Sequence, residues 1–246
     1  RDKLVTGVQT CALPIYLSSA TNGATVADSQ GFGDITNDDA GPTFTINDVS
    51  VTEGGTLSFT VTKSASELSH NVSYASATGT AGSGDFTAVS GALTFAGGEA
   101  TKTVSVTTTQ DTIYEGNENL FVNLSSATNG ATIADSQGIG TINENDTAPS
   151  FTINDVSITE GGVLAFTVTM SGSTALSHNV NYATATNTAG SGDFTATSGT
   201  LTFASGDTTK PVSVTTTQDA LFEATERLFV NLSSATNGAL GCSITA

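Results

Sequence analysis

The sequence predicts an all-β protein made of tandem seven-stranded β-sandwiches, and two observations carry that prediction. First, the chain repeats: FTINDVSVTEGG from Phe44 returns as FTINDVSITEGG from Phe151, 107 residues later. Second, apolar residues alternate with Thr and Ser inside each repeat, as at Leu57, Phe59 and Val61, which is the two-residue period of half-buried strands. No stretch of helical periodicity competes with these strands.

Turn signals divide the full repeat into its predicted strands, for example Glu53-Gly54-Gly55 and Asn129-Gly130. We place the strands at 43–52, 56–63, 71–78, 91–96, 101–109, 119–126 and 137–143. Seven short strands in a repeat of this length are typical of an immunoglobulin-like Greek-key sandwich. The predicted core or near-core residues are Phe59, Tyr74, Phe95, Val104, Val106, Phe121 and Val122.

The repeat also predicts the domain boundaries. Residues 16–42 are the tail of a preceding repeat, 43–147 form a complete repeat, and 150–239 form a repeat that lacks its last strand. Residues 1–15 include VTGVQTCALPI, which has no counterpart elsewhere in the chain and is similar to a translated sequencing adapter, so we leave them out of the fold prediction. The aberrant end, 240–246, also departs from the repeat.

The composition excludes several classes of partner. Asp and Glu number 23 against 6 Lys and Arg, giving a net charge of −17, which argues against nucleic acid and anionic membranes. No apolar run is long enough to span a bilayer, so we predict no direct membrane insertion. Both cysteines, Cys11 and Cys242, lie in the atypical ends, which leaves the repeats without disulfides. The Ser-, Thr- and Gly-rich composition indicates an extracellular or cell-surface protein whose export signal lies outside this chain.

The topology of a sandwich predicts where the acidic residues gather. The odd-numbered connections lie at one pole, together with the end of the last strand. In the full repeat, that pole carries Glu53, Asp85, Asp111, Glu115, Glu118, Glu144 and Asp146, whereas the other carries only Glu67, Glu99 and Asp135. Acids that served solubility alone would be dispersed by repulsion, so we expect a cation at the first pole. Calcium fits best because it accepts about 6–8 oxygen ligands in irregular geometry, while magnesium demands a tighter octahedron and zinc prefers nitrogen or sulfur.

Several segments resemble the Calx-β family, known from sodium–calcium exchangers, integrin β4 and large bacterial surface proteins. They are VTEGG, GTAGSGDF, LTFA, QDTIYEGNENLFVNLS and INEND, and the resemblance covers nearly all of residues 17–239. It implies a seven-stranded sandwich that binds calcium through its distal loops. By motif position it implies calcium ligands at Glu53, Asp111, Glu115, Glu118, Glu144 and Asp146, and at Glu160, Asp219, Glu223 and Glu226 in the second copy. Asp193, the counterpart of Asp85, completes the predicted set.

Competing chemistries lack the residues that they need. His70 and His178 occupy equivalent positions at the opposite pole, where we expect solvated loop histidines rather than zinc ligands or a general base. Ser and Thr alternate along strands as polar sheet faces require, and no GxSxG elbow occurs. Glu115 and Glu118 lack a lined cleft that would raise the pKa of one of them, as a glycosidase needs. We therefore predict no catalytic residue and no enzymatic activity.

These expectations combine into one leading function. We expect a calcium-binding structural module in which ions stiffen the junction between neighbouring repeats of a multi-domain rod that serves adhesion or cell communication. Two alternatives stay open. One is an adhesin module that binds a cell-surface glycan or protein directly, and the other is an accessory array attached to a secreted enzyme.

Overall fold

The alternating apolar residues form a long series of strands. In the computed structural model, which describes residues 15–239, the regular secondary structure of that range is β-strand throughout. The same range contains no helix with the length and apolarity needed to cross a membrane. The strands are β1 (Ile15–Tyr16), β2 (Gln30–Gly31), β3 (Thr43–Ile46), β4 (Val49–Thr52), β5 (Thr56–Lys63), β6 (His70–Thr78), β7 (Ser90–Phe95), β8 (Thr101–Thr107), β9 (Glu118–Ser125), β10 (Thr132–Ile133), β11 (Gln137–Asn143), β12 (Ser150–Ile153), β13 (Val163–Ser171), β14 (His178–Thr186), β15 (Ser198–Phe203), β16 (Thr209–Thr215) and β17 (Leu228–Ser233).

Unit 1 of the structure is the sandwich of the full repeat. It comprises the described chain up to Val51, with Gly55–Thr109 and Asn119–Thr141. One sheet has the strand order β10-β3-β5-β8, and the other has the order β4-β11-β9-β6-β7. Phe44 and Phe95 come from different sheets, are fully buried, and have ring centroids 5.2 Å apart. The two sheets therefore enclose one apolar core, as in a β-sandwich.

Unit 2 is the sandwich of the second repeat with three short segments of the first. It comprises Thr52–Gly54, Gln110–Glu118 and the described chain from Ile142 onward. Its sheets have the orders β12-β13-β16 and β15-β14-β17, and the buried rings of Phe151 and Phe203 lie 5.0 Å apart between them. The predicted fold class, an all-β protein of immunoglobulin-like sandwiches, is confirmed.

The prediction of one continuous strand at 43–52 is wrong, because this range forms two strands, β3 and β4, in different sheets. β3 pairs with β5, whereas β4 lies beside β11 in the other sheet. Asn47 occupies the crossing: its N–H donates to the Thr60 carbonyl (3.3 Å), and its Oδ1 accepts the Thr60 N–H (2.5 Å). This closed pair of bonds bends the chain from one sheet to the other. The other six predicted strands agree with the observed bounds to within two residues.

Both histidines are buried, which corrects the prediction of solvated loop residues. His70 and His178 are only 2% and 0% exposed. The two ring nitrogens of His70 contact Ser66 Oγ (2.9 Å) and the Thr128 carbonyl (3.1 Å). His178 makes the same pair of contacts with Thr174 Oγ1 and the Thr236 carbonyl. Each histidine therefore has a structural role, because it ties the start of its strand to a loop 58 residues further along the chain.

A two-stranded antiparallel pair lies at the start of the described residues. Ile15 pairs with Gly31 and Tyr16 with Gln30 in the antiparallel pair β1–β2. Residues 1–14 and 240–246 lie outside the described residues, and with them both cysteines and the predicted aberrant end. In its described part, the second repeat has the six strands β12–β17.

Candidate metal site

Every predicted ligand lies in a connection between strands or at the start of a strand. Glu53 lies between β4 and β5, Asp85 between β6 and β7, Asp111 and Glu115 between β8 and β9, Glu118 at the start of β9, Glu144 and Asp146 after β11, Glu160 between β12 and β13, Asp193 between β14 and β15, and Asp219, Glu223 and Glu226 between β16 and β17.

Three of these carboxylates converge within unit 2. Glu53, Glu144 and Asp146 are each half-buried, and one oxygen of each lies within 4.8 Å of the others. Residues 15–239 supply no Lys or Arg ion pair to this trio. Three anions at such separations repel one another unless a cation or a proton lies among them.

Asp111 is tied to Glu53 of the same trio through its backbone. Its N–H donates to Glu53 Oε1 (3.0 Å), and its own Oδ1 accepts the N–H of Ile113 (2.7 Å). The second bond is an Asx turn, which fixes one side-chain oxygen and shapes the start of the β8–β9 connection. Asp111 also contributes charge repulsion that raises the pKa of Glu53 and Asp146.

Glu144 is the carboxylate that orders the site. Its Oε2 accepts the N–H groups of Glu115 (2.5 Å) and Gly116 (2.8 Å), and its Oε1 accepts those of Asn145 (2.8 Å) and Asp146 (2.7 Å). Burial alone would raise the pKa of Glu144, but these backbone donors outweigh it and lower the pKa below the ordinary value. Glu144 is therefore held as an anion, and it ties the β8–β9 connection to the segment that follows β11.

Asp146 and Glu53 differ from Glu144, because their surroundings raise the pKa of the carboxyl group rather than lower it. Asp146 Oδ2 is a buried oxygen with no hydrogen-bond donor in the described structure. Burial raises the pKa of Asp146, and the charges of Glu144 and Asp111 raise it further. Burial likewise raises the pKa of Glu53, despite the N–H bond from Asp111, with repulsion from Asp146 adding to the shift. An orphaned carboxylate oxygen beside two other carboxylates suits a hard cation such as calcium.

The second repeat has a carboxylate trio of its own. One oxygen of each of Asp193, Glu223 and Glu226 lies within 4.8 Å of the others. Asp193 is half-buried and its Oδ2 accepts the Gly190 N–H (2.6 Å), while both glutamates are exposed. Desolvation raises the pKa of Glu223, and the charges of Asp219 and Asp193 add to the rise. Desolvation also raises the pKa of Glu226, together with the hydrogen bond and the charge of Asp193. This trio is more open than the first, so solvent screens it more.

Glu160 and Asp219 repeat the arrangement of Glu53 and Asp111. The Asp219 N–H donates to Glu160 Oε1 (2.7 Å), and Asp219 Oδ1 accepts the Leu221 N–H (2.7 Å). Both acids are exposed, in contrast to their half-buried counterparts. The repeated sequence thus builds the same backbone-to-carboxylate contact twice.

Asp85, Glu115 and Glu118 are the remaining predicted ligands. Asp85 belongs to unit 1, is half-buried, and its Oδ2 accepts the Gly82 N–H (2.6 Å). Glu115 and Glu118 belong to unit 2 and are also half-buried. Metal ligation by any of the twelve acids stays a prediction.

Glu99, one of the acids predicted at the other pole, has a lysine partner. Glu99 Oε1 lies 2.6 Å from Lys102 Nζ, and this bond is the main cause that lowers the pKa of Glu99. In the second repeat Asp207 forms the equivalent pair with Lys210, at 2.7 Å. The charges of Glu99 and Asp207 are thus compensated by lysine, whereas no Lys or Arg within residues 15–239 forms an ion pair with the Glu53–Glu144–Asp146 trio.

Neutral polar residues also build the site, and the sequence analysis missed them. Gln110 and Asn145 exchange two side-chain bonds, of 3.1 and 3.0 Å, and Asn117 Oδ1 accepts the Glu144 N–H (2.9 Å). A signal for Gln110 was available, because Gln218 precedes Asp219 in the second copy as Gln110 precedes Asp111. The amide of Asn117 carries no such signal, since Thr225 replaces it.

Comparisons with known proteins give one family. The model of the Calx-beta domain matches residues 37–147 and again residues 143–242. Similar solved structures include CBD12 from CALX1.2 (20% identity, TM-score 0.42, covering 78% of this chain and 80% of that chain) and the calcium binding domain CBD12 of CALX1.1 (22%, 0.42, 78% and 79%). The apo-form Calx CBD1 domain is similar at 19% identity and TM-score 0.41, covering 43% of this chain and 98% of its own. No curated protein matches. Because the family model matches both repeats, this chain belongs to the Calx-beta domain family.

Proposed function

We propose that this chain is a calcium-binding structural module, in which ions held by the acidic loops stiffen the junction between successive repeats of a secreted or cell-surface protein. The observation that carries the proposal is the Glu53–Glu144–Asp146 trio, with its orphaned Asp146 oxygen and no compensating cation among the described side chains. No catalytic role is proposed.

The chemistry of the donors favours calcium over other metals. The trio and the neighbouring Asp111 offer carboxylate oxygens. Oxygen donors in an irregular loop match calcium, which takes about 6–8 ligands at flexible angles. Zinc would require thiolate or imidazole, and no His or Cys belongs to either described trio. Extracellular modules of this kind bind calcium at about 10⁻⁴–10⁻³ M, which suits the exterior of a cell.

The stiffening step rests on contacts within unit 2. Glu144 bonds both to the β8–β9 connection and to Asn145 and Asp146, which lead into the second repeat. Without a cation, repulsion acts between Glu144 and Asp146 and loosens this segment. An ion shared by Glu53 and Asp146 would remove the repulsion and hold the segment in place.

A thermal melt with calcium and with chelator tests the proposal. At about 100 times the dissociation constant, calcium would add about 2.7 kcal/mol to stability, which raises the melting temperature by on the order of 10 °C in a domain of this size. The double variant Glu53→Gln, Asp146→Asn should lose that rise. Analytical ultracentrifugation on the same samples measures the frictional ratio, which should increase with calcium if the junction stiffens. An unchanged melting temperature together with an unchanged frictional ratio would refute the proposal.

Two alternatives predicted from the sequence stay open. One is direct adhesion to a glycan or protein, and the other is an accessory array attached to a secreted enzyme. Neither is favoured by a contact in the described structure. The location outside the cell, the adhesive role and the rod remain parts of the proposal.

A further inference from the structure

One aromatic residue of the β8–β9 connection is docked on the second sandwich within unit 2. The Tyr114 N–H donates to the Ser173 carbonyl (3.0 Å), and the Tyr114 carbonyl accepts the Ala175 N–H (3.1 Å) and Thr174 Oγ1 (2.9 Å). The two backbone bonds form a parallel bridge between Tyr114 and Thr174. Because these bonds use the main chain of Tyr114, any residue other than proline can make them at this position.

The Tyr114 side chain fills a small recess beside that bridge. Its ring centroid lies 6.3 Å from that of His178, and a Cβ added at Gly238 would come 2.1 Å from its hydroxyl oxygen. Gly238 also has a φ of +74°, which favours glycine. We call Thr174, His178 and Gly238 the docking site, and Tyr114 its docking residue. A glycine without a side chain is what lets the aromatic ring enter.

The second repeat carries a counterpart of the docking residue, and it is exposed in the described part of the chain. Phe222 follows Asp219 as Tyr114 follows Asp111, and it is fully exposed at 103%, with Leu221 beside it at 69%. Within residues 15–239 the Phe222 backbone makes no hydrogen bond. Adjacent exposed Leu and Phe side chains on an otherwise polar loop indicate a contact surface.

The first repeat carries a second docking site within unit 1. Ser66, His70 and Gly130 are the counterparts of Thr174, His178 and Gly238. Ser66 Oγ lies 2.9 Å from His70 Nε2, as Thr174 Oγ1 lies from His178, and Gly130 has the same positive φ, +76°. These residues line an open cavity of about 340 Å³. The carbonyl of Ala65, the counterpart of the Ser173 carbonyl that binds Tyr114, accepts no hydrogen bond from any described residue.

We propose that Phe222 docks into the Ser66–His70–Gly130 site of another copy of this repeat, by the contacts that Tyr114 makes with Thr174, His178 and Gly238. Among the described residues, Phe222 is fully exposed and the Ser66–His70–Gly130 site lines an open cavity, and the Tyr114 contact supplies the geometry for a head-to-tail contact between them. A heterologous contact of this kind does not close on itself, so copies add end to end. Within a longer array the same contact becomes intramolecular, which strengthens it through effective concentration.

Sedimentation equilibrium of the full chain tests the proposal, with a second copy of the chain as the probe. Two variants each remove one side of the contact: Phe222→Ser removes the docking residue, and Leu68→Glu places a charge in the cavity wall, where the acidic β16–β17 connection would be repelled. Each variant alone should self-associate at least about tenfold more weakly than the wild type, since truncating a central aromatic contact costs most of a small interface. Phe32→Ser is the matched control, because Phe32 is 69% exposed outside both surfaces, and it should associate like the wild type.

Mixing the two variants distinguishes this contact from non-specific association. Phe222→Ser keeps its docking site and Leu68→Glu keeps its docking residue, so an equimolar mixture should form a dimer and stop there. Self-association is measured both with calcium and with chelator, so that the result can be interpreted whether or not the chain binds calcium. A wild type that stays monomeric at millimolar concentration in both conditions overturns the proposal. So does self-association that Phe222→Ser leaves unchanged, or a mixture that forms no dimer.

Discussion

Replacing Glu144 with Gln tests whether this carboxylate orders the acidic loop. The carboxylate accepts four backbone N–H groups, two on each oxygen, and glutamine offers a single oxygen. Two donors therefore lose their acceptor. A hydrogen bond to a charged group contributes about 1.5–3 kcal/mol, so two give about 3–6 kcal/mol in a buried setting. Glu144 is half-buried and water replaces part of the loss, so we expect local destabilisation of about 2–3 kcal/mol.

Amide hydrogen exchange measures this effect directly. A loss of about 2–3 kcal/mol raises the local opening equilibrium by about 30- to 150-fold. In Glu144→Gln, measured with chelator, the amides of either Glu115 and Gly116 or Asn145 and Asp146 should exchange faster by that factor, while core amides such as that of Val104 keep their rates. Glu99→Gln is the control, because it removes one acid from the lysine-compensated pole. Equal exchange rates in wild type and Glu144→Gln would refute the role assigned to this carboxylate.

Three further predictions address the acids and the core. Calcium affinity should weaken as the pH falls, and the loss should begin above pH 4.5, the ordinary pKa of Glu. The reason is that the pKa of Glu53 is raised, so protons compete with the ion for this carboxylate. Calorimetry that shows pH-independent affinity between pH 7 and pH 5 would contradict this. Asp193→Asn should lower the pKa of Glu226, since Asp193 provides the main electrostatic contribution to its shift, and an NMR titration that finds no change would count against the trio. Gly140→Ala should destabilise unit 1 by about 1–3 kcal/mol in a denaturant melt, because its Cβ would lie 2.7 Å from Leu57 Cδ1; Gly84→Ala, with open space around it, should have little effect, and equal effects of the two would contradict this.

The fold was predictable because the two-residue period and the repeat agree. Phe59 and Val61 alternate with polar residues, and both are fully buried on β5. The prediction missed the crossing at Asn47, although the alternation of apolar residues shifts by one position between Ile46 and Val49. That shift marks a break in the pattern, but it does not show which sheet each half joins. The bond that causes the bend joins residues 13 positions apart.

The candidate site was predictable in its composition and less so in its internal roles. Strand topology alone predicted that Glu53 and Asp146 approach each other, 93 residues apart in sequence, and the structure brings them together. The role of Glu144 as an acceptor of backbone N–H groups depends on the conformation of the loop. The positions of acidic residues in the sequence do not reveal that conformation. The burial of His70 was missed for the same reason, because its acceptor is a carbonyl 58 residues away.

Isothermal titration calorimetry of the full chain with calcium chloride tests the central claim most directly. We expect saturable heat with a dissociation constant of about 10⁻⁴–10⁻³ M, and loss of the Glu53–Asp146 component in Glu53→Gln, Asp146→Asn. A titration without binding heat up to about ten times that concentration range, or one that the double variant leaves unchanged, would contradict the account.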